Sequence, residues 1–109
     1  MGSNELADLG RYGGPATLIL SSLAGGAKHG YLLIKDVEDF AGVHLSPGTL
    51  YAALARLVDQ GLIEPVPSAD ERRRPYRITP HGSQALQAQL AEQRRVADVG
   101  LGRLAGVDP

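Results

Sequence analysis

The sequence has no cysteine and no tryptophan, one phenylalanine and one methionine, and a formal net charge of −1 at neutral pH. Each absence removes a class of function. Without cysteine there are no disulfides and no thiolate chemistry, and the redox state of the compartment places no constraint on the chain. A net charge near zero argues against an indiscriminate nucleic-acid coat. No positively charged start runs into an apolar segment, and no apolar stretch approaches the roughly 20 residues of a membrane span. A cytoplasmic location and no membrane partner are the expectation.

Metal and catalytic patterns are missing as well. His29, His44 and His81 are the only histidines, and they lie on separate segments without H-x3-H or carboxylate-rich spacing, so no metal site and no cofactor are assigned. Ser21 and Ser22 lie in an apolar stretch and Ser46 stands at a helix start. No G-x-S-x-G or paired carboxylates accompany them, and an enzyme is not expected. Gly13-Gly14 and Gly25-Gly26 follow no strand and match no phosphate loop; they read as helix stops.

The sequence from Ser46 to Ile63 is the most informative segment present. Ser46 can cap free backbone N–H groups, and Pro47 at the first helical position loses no bond. Leu50, Leu54, Leu57 and Val58 recur at helical spacing, and Gly61 supplies the left-handed stop. The opposite face carries Gly48, Thr49, Ala52, Arg56 and Asp59, mostly small residues. A helix with so bare an outer face can enter the DNA major groove. Beyond it, Leu62 to Val66 and Tyr76 to Thr79 read as two short strands around a polar turn with the run Arg72-Arg73-Arg74. A helix, then a β-ribbon with a basic tip, then another helix is the layout of a winged helix-turn-helix. Arg77 adds to the basic cluster, while Asp36, Glu38 and Asp39 sit together elsewhere, a separation that can steer one face toward phosphate.

These segments resemble the PadR family of transcriptional regulators. The resemblance rests on His29-Gly30-Tyr31, on Pro47-Gly48-Thr49-Leu50-Tyr51 with Arg56-Leu57 and Gly61-Leu62-Ile63, and on Arg72-Arg73-Arg74 with Tyr76-Arg77-Ile78-Thr79 and Gly82. It covers roughly residues 15 to 82. One position departs: Ala52 stands where the family often has proline, so base preference does not carry over. The resemblance implies a transcriptional regulator that dimerises through its C-terminal helix, with help from the N-terminal segment, and it favours contact of Tyr51 with DNA. The absence of tryptophan excludes the Trp-lined drug slot known in part of the family.

The expected fold is mainly α with a small β-wing, a winged helix-turn-helix plus a C-terminal dimerisation helix. Residues 1–14 form an arm or short helix, 15–82 the DNA-binding core, and 83–109 the dimerisation helix and tail. Pro15 opens the first main helix, whose apolar face holds Leu18, Ile19, Leu20 and Leu23. The second runs from His29 to about Ala41, with Tyr31, Leu32, Ile34, Val37 and Phe40 on or near its buried side. Thr79 and Pro80 open the last helix, which is expected to run to about Leu104, weakened by Gly100 and Gly102.

Leu86, Leu90, Ala97, Leu101 and Leu104 make an apolar stripe larger than a core of 109 residues can cover. Together with Leu6 and Leu9 it is assigned to a homodimer; the competing reading folds the helix back on its own domain. The DNA contacts are assigned to Gly48, Thr49, Tyr51, Arg56, Arg72, Arg73 and Arg74, and the partner to double-stranded DNA with a palindromic operator, bound by a repressor. A small-molecule effector is a further candidate partner, its pocket built at the dimer interface from aliphatic residues and Tyr12, Phe40 or the last helix. The alternatives are a winged-helix protein-interaction module, in which the arginine turn is only a solvated loop, and a metal-responsive sensor.

Overall fold

The computed structural model describes residues 14–70 and 73–106. Along the chain these form α1 (Pro15–Ala24), α2 (Gly30–Ala41), α3 (Pro47–Asp59), β1 (Ile63–Pro65), β2 (Tyr76–Ile78) and α4 (Pro80–Gly106). The mainly helical fold with its two-stranded wing is the one expected.

Helix α1 starts on Pro15 and buries Ile19, Leu20 and Leu23. At its C-terminal end the Lys28 ammonium donates to the Ser22 carbonyl at 2.5 Å, placing a cation where the helix dipole is negative. The Ser22 hydroxyl donates to Asp36 Oδ2 at 2.6 Å and ties α1 to α2. Helix α2 ends on Gly42, whose left-handed backbone (φ 67°) lets its N–H reach the Glu38 carbonyl.

The buried face of α2 is the expected one only in part: Val37 is buried and Ile34 packs against the core, but the other three residues expected there are exposed. Leu33 and Val37, one turn apart, are fully buried, whereas Tyr31 is 71% exposed and Leu32 and Phe40 are about half exposed. Tyr31 lies on the opposite side of the helix from Leu33. Phe40 shares the face of Leu33 but comes one turn beyond Val37, where the core has ended.

Helix α3 has both of the local signals read from its sequence. The Ser46 hydroxyl accepts the Thr49 N–H at 3.2 Å. At the other end the Gly61 N–H bonds the Val58 carbonyl and the Leu62 N–H bonds the Leu57 carbonyl, the paired arrangement of a left-handed glycine stop. Leu50, Ala53, Leu54 and Leu57 are buried between these ends.

The chain then enters the wing, where Ile63 faces Ile78, Glu64 faces Arg77 and Pro65 faces Tyr76 in antiparallel register. Lys28 adds a third arm by exchanging two backbone hydrogen bonds with Tyr76, so the α1–α2 connection is laced to the wing.

Thr79 joins the wing to α4. Its hydroxyl donates to the Gly61 carbonyl at 2.7 Å and accepts the Gly82 N–H at 3.0 Å, while its own N–H bonds the Leu62 carbonyl. Gly82 is buried so closely against Leu62 that a β-carbon there would overlap the Leu62 carbonyl oxygen. Helix α4 runs through Gly100 and Gly102 to Gly106, slightly further than expected.

Only Gly82 and Leu86 of α4 are buried. Leu86, expected on the dimer stripe, belongs to the protomer's own core with Ile19, Leu23, Leu54 and Ile63, because the first turns of α4 lie over α1 and the wing. Beyond Leu86 no residue of the helix is buried. At about 1.5 Å per residue it accounts for most of the long dimension of a molecule 62 × 27 × 26 Å in extent.

Candidate nucleic-acid interface

Because Leu50, Ala53, Leu54 and Leu57 fix one side of α3 in the core, its other side must face outward. Gly48, Thr49, Tyr51, Ala52, Ala55, Arg56 and Asp59 are all exposed there. Thr49 accepts a hydrogen bond from the Ser46 hydroxyl at 3.0 Å, so the capping network holds its side chain at the helix start. Gly48, Ala52 and Ala55 leave the middle of this surface nearly flat, with Thr49 and Arg56 on one flank and Tyr51 on the other. The single acidic group, Asp59, stands at the C-terminal end, away from the end a groove-reading helix inserts first.

The wing contributes unevenly. Arg73 and Arg74 are exposed beside the ribbon. Arg72 lies outside the described residues, as do Leu6 and Leu9. Arg77, grouped with this cluster in the sequence, points its Nε at Glu64 Oε1 at 2.7 Å across the β1–β2 pair. Its charge is therefore balanced locally.

Tyr51 and Arg73 come together around a cleft of about 550 Å³ that is also lined by His29, Gly30, Tyr31 and Leu32. Three elements thus meet at one place: the flank of α3, the wing, and the start of α2. His29 is the residue preceding α2, in an extended conformation that starts the helix without a side-chain cap. From the sequence, Gly30 enters only through the family resemblance and Tyr31 is expected on or near the buried side, whereas the structure sets both at this cleft. The one signal available was that a glycine at the very start of an apolar helix leaves room for something to approach.

The proposed dimer residues are set apart from this surface. Leu90, Leu101 and Leu104 are 40%, 67% and 73% exposed, and Ala97 is exposed with them. Val96 and Val99, also about half exposed, lie on another side of α4 and were not singled out from the sequence. At its base α4 borders an apolar groove of about 450 Å³ lined by Ala24, Ile78, Leu86, Leu90 and Ala91, with Arg94 at its edge. Among the described residues no three His, Asp or Glu side chains converge as metal ligands, and no helix is long and apolar enough to cross a membrane.

The sequence profile of the PadR-like family of transcriptional regulators matches residues 19–88, from within α1 through the buried turns of α4. The chain belongs to the PadR-like family. Members of this family are transcriptional regulators and not enzymes. Similar solved structures include a transcriptional regulator from Clostridium thermocellum, 33% identical, with 84% of this chain and 90% of that one superposed at a TM-score of 0.73. A PadR family transcription regulator from Clostridium difficile is 30% identical, with 83% and 97% covered and a TM-score of 0.74. An uncharacterised 37.1 kDa protein of a Streptomyces fradiae transposon is 38% identical over 80 residues, which are 73% of this chain but only 23% of that protein. In this PadR-like chain the ends of α3, the wing ribbon and the Gly82 contact are the places where the quoted family motifs have a visible structural cause.

Proposed function

We propose that this PadR-like regulator is a cytoplasmic repressor that binds a palindromic operator as a homodimer and is released by a small-molecule effector. One observation carries the DNA-binding part: Tyr51 of α3, Arg73 of the wing and the start of α2 border a single cleft beside the flat outer face of α3. That arrangement suits a helix lowered into the major groove while flanking groups hold phosphates on either side. Gly48, Thr49 and Arg56 are the base-facing candidates, and Tyr51, Arg72, Arg73 and Arg74 the backbone contacts.

The homodimer is supported by the exposed leucines of α4, which lie outside the protomer core; Leu90, Ala97, Leu101 and Leu104 would meet a second copy, with Leu6 and Leu9 assisting. In this reading residues 15–82 are the reading core and 83–109 carry the dimerisation helix and tail, while residues 1–13 lie outside the described residues. The aliphatic groove at the base of α4 is the natural effector seat, since it adjoins that interface. Selection of bound fragments from a random duplex pool tests the proposal. Enrichment of an inverted repeat with half-sites about 10 base pairs apart, or a multiple of that, is expected. No enrichment, together with binding that ignores salt, would refute it.

A further inference from the structure

Gly30 is buried, yet nothing in its backbone conformation requires glycine. What a side chain there would disturb is a neighbour. A β-carbon on Gly30 would lie 2.7 Å from the Tyr51 hydroxyl oxygen, 3.2 Å from Tyr51 Cζ and 3.2 Å from Leu50 Cδ2. The Tyr51 ring therefore reaches from α3 across the first turn of α2, although the residue as a whole is 52% exposed. Arg73 borders the same cleft from the wing side.

Three facts about this corner fit together. The amides of Gly30, Tyr31 and Leu32 have no partner within their helix, because the first helical bond is Leu33 N–H to the His29 carbonyl at 3.0 Å. The Tyr51 hydroxyl occupies the space that a side chain at Gly30 would take. The Arg73 guanidinium brings a positive charge to a place where the helix dipole is also positive, a combination that suits an anion.

We infer that Gly30 is a positioning residue for DNA contact: by lacking a side chain it lets the Tyr51 ring lie over the start of α2, setting the hydroxyl beside Arg73 so that both hold one backbone phosphate. This rests on the DNA-binding reading above and adds to it the device that aims Tyr51. Tyr51 touches the phosphate; Gly30 acts through Tyr51.

The test is a cycle of Gly30→Ala, Tyr51→Phe and the double variant, measured on the selected operator across a salt series, with thermal unfolding alongside. Gly30→Ala and Tyr51→Phe should each weaken binding about tenfold per protomer, the scale of one hydrogen bond to a charged group, and so about 100-fold for the homodimer. The double variant should be no more than about twofold weaker than Tyr51→Phe alone, because Gly30 has no other route to the phosphate. A neutral hydroxyl displaces no counterion, so these variants keep the wild-type salt slope, whereas Arg73→Ala lowers it by about 0.9 per protomer, about 1.8 for the homodimer.

If Gly30→Ala also lowers the unfolding midpoint, adding Tyr51→Leu should restore the midpoint but not the affinity. Failure of that rescue would put the conflict at Leu50 and overturn the inference. Equal losses from Gly30→Ala with and without the Tyr51 hydroxyl would overturn it too, as would a neutral Tyr51→Phe; in each case Arg73→Ala still reports DNA binding. Absence of operator binding by the wild type would instead remove the DNA-binding reading itself.

Discussion

Leu101 offers the sharpest perturbation of the proposed assembly, because it is 67% exposed and lies outside the buried core. Replacing it with glutamate should change the protomer's own stability by no more than about 0.5 kcal/mol, since leucine and glutamate have nearly equal helix propensity and no buried contact is lost. Everything larger must come from a second copy. Fully burying a leucine contributes about 1.5–3 kcal/mol, and two-thirds of that is still available at Leu101. Losing it in both protomers removes about 2–4 kcal/mol from the dimer. Two carboxylates brought face to face by the two-fold axis add a few kcal/mol more. A total of about 5 kcal/mol would weaken dimerisation by more than about 1,000-fold.

Sedimentation at micromolar concentration should therefore show a wild-type dimer and a Leu101→Glu monomer. The wild-type unfolding midpoint should rise with protein concentration while that of the variant stays fixed. Val99 provides the control: it lies about 160° around α4 from Leu101, at about 100° per residue, so Val99→Glu should remain a dimer. A monomeric wild type, or a Leu101→Glu protein that stays dimeric, would show that the exposed stripe of α4 has another purpose.

Three further outcomes are expected. Replacing Arg72, Arg73 and Arg74 together with alanine should weaken binding to operator and random duplex alike and flatten the salt dependence, checked by titration at several ionic strengths. Arg56→Ala should cost about 1–3 kcal/mol on the operator and less on random duplex if the guanidinium reads a base; equal losses would make it a phosphate anchor. Gly82→Ala should destabilise the fold by about 2–3 kcal/mol in urea unfolding, because the new methyl pushes α4 off the Leu62 carbonyl and overpacks the site. An unchanged midpoint there would mean that α4 can shift without loss.

The parts of this molecule that were legible in the sequence are those governed by neighbours in the chain. Ser46-Pro47 at one end of α3 and Gly61 at the other act over three or four residues, and the structure has both stops where the pattern puts them. The wing was legible for the same reason. The faces of α2 were not, because Tyr31-Leu32-Leu33-Ile34 is apolar all round. Only the positions of α1 and α3 decide that Leu33 is buried and Tyr31 exposed. Leu86 and Leu90 look alike on a helical stripe, and where the core stops between them is a tertiary fact. Arg77 likewise belongs to the arginine cluster by composition but to Glu64 by strand register. The Gly30–Tyr51 contact joins residues on different helices, so no local pattern announces it.

The same distinction explains how this small fold can connect the two surfaces proposed to work. Thr79 holds the Gly61 carbonyl through its hydroxyl and the Leu62 carbonyl through its N–H, while capping the Gly82 amide at the start of α4. The stop of α3 and the start of the projecting helix are thus one hydrogen-bonded unit, with Gly82 pressed against Leu62 and no side chain between them. Swinging α4 about its base must either carry Gly61 and Leu62 along or break two hydrogen bonds, at about 1 kcal/mol each. Smaller forces therefore move both helices together. A replacement such as Thr79→Val, which keeps the shape and removes the hydroxyl, would loosen this joint without altering the exposed Leu90, Leu101 and Leu104, so the proposed dimer should persist in sedimentation while the unfolding midpoint falls.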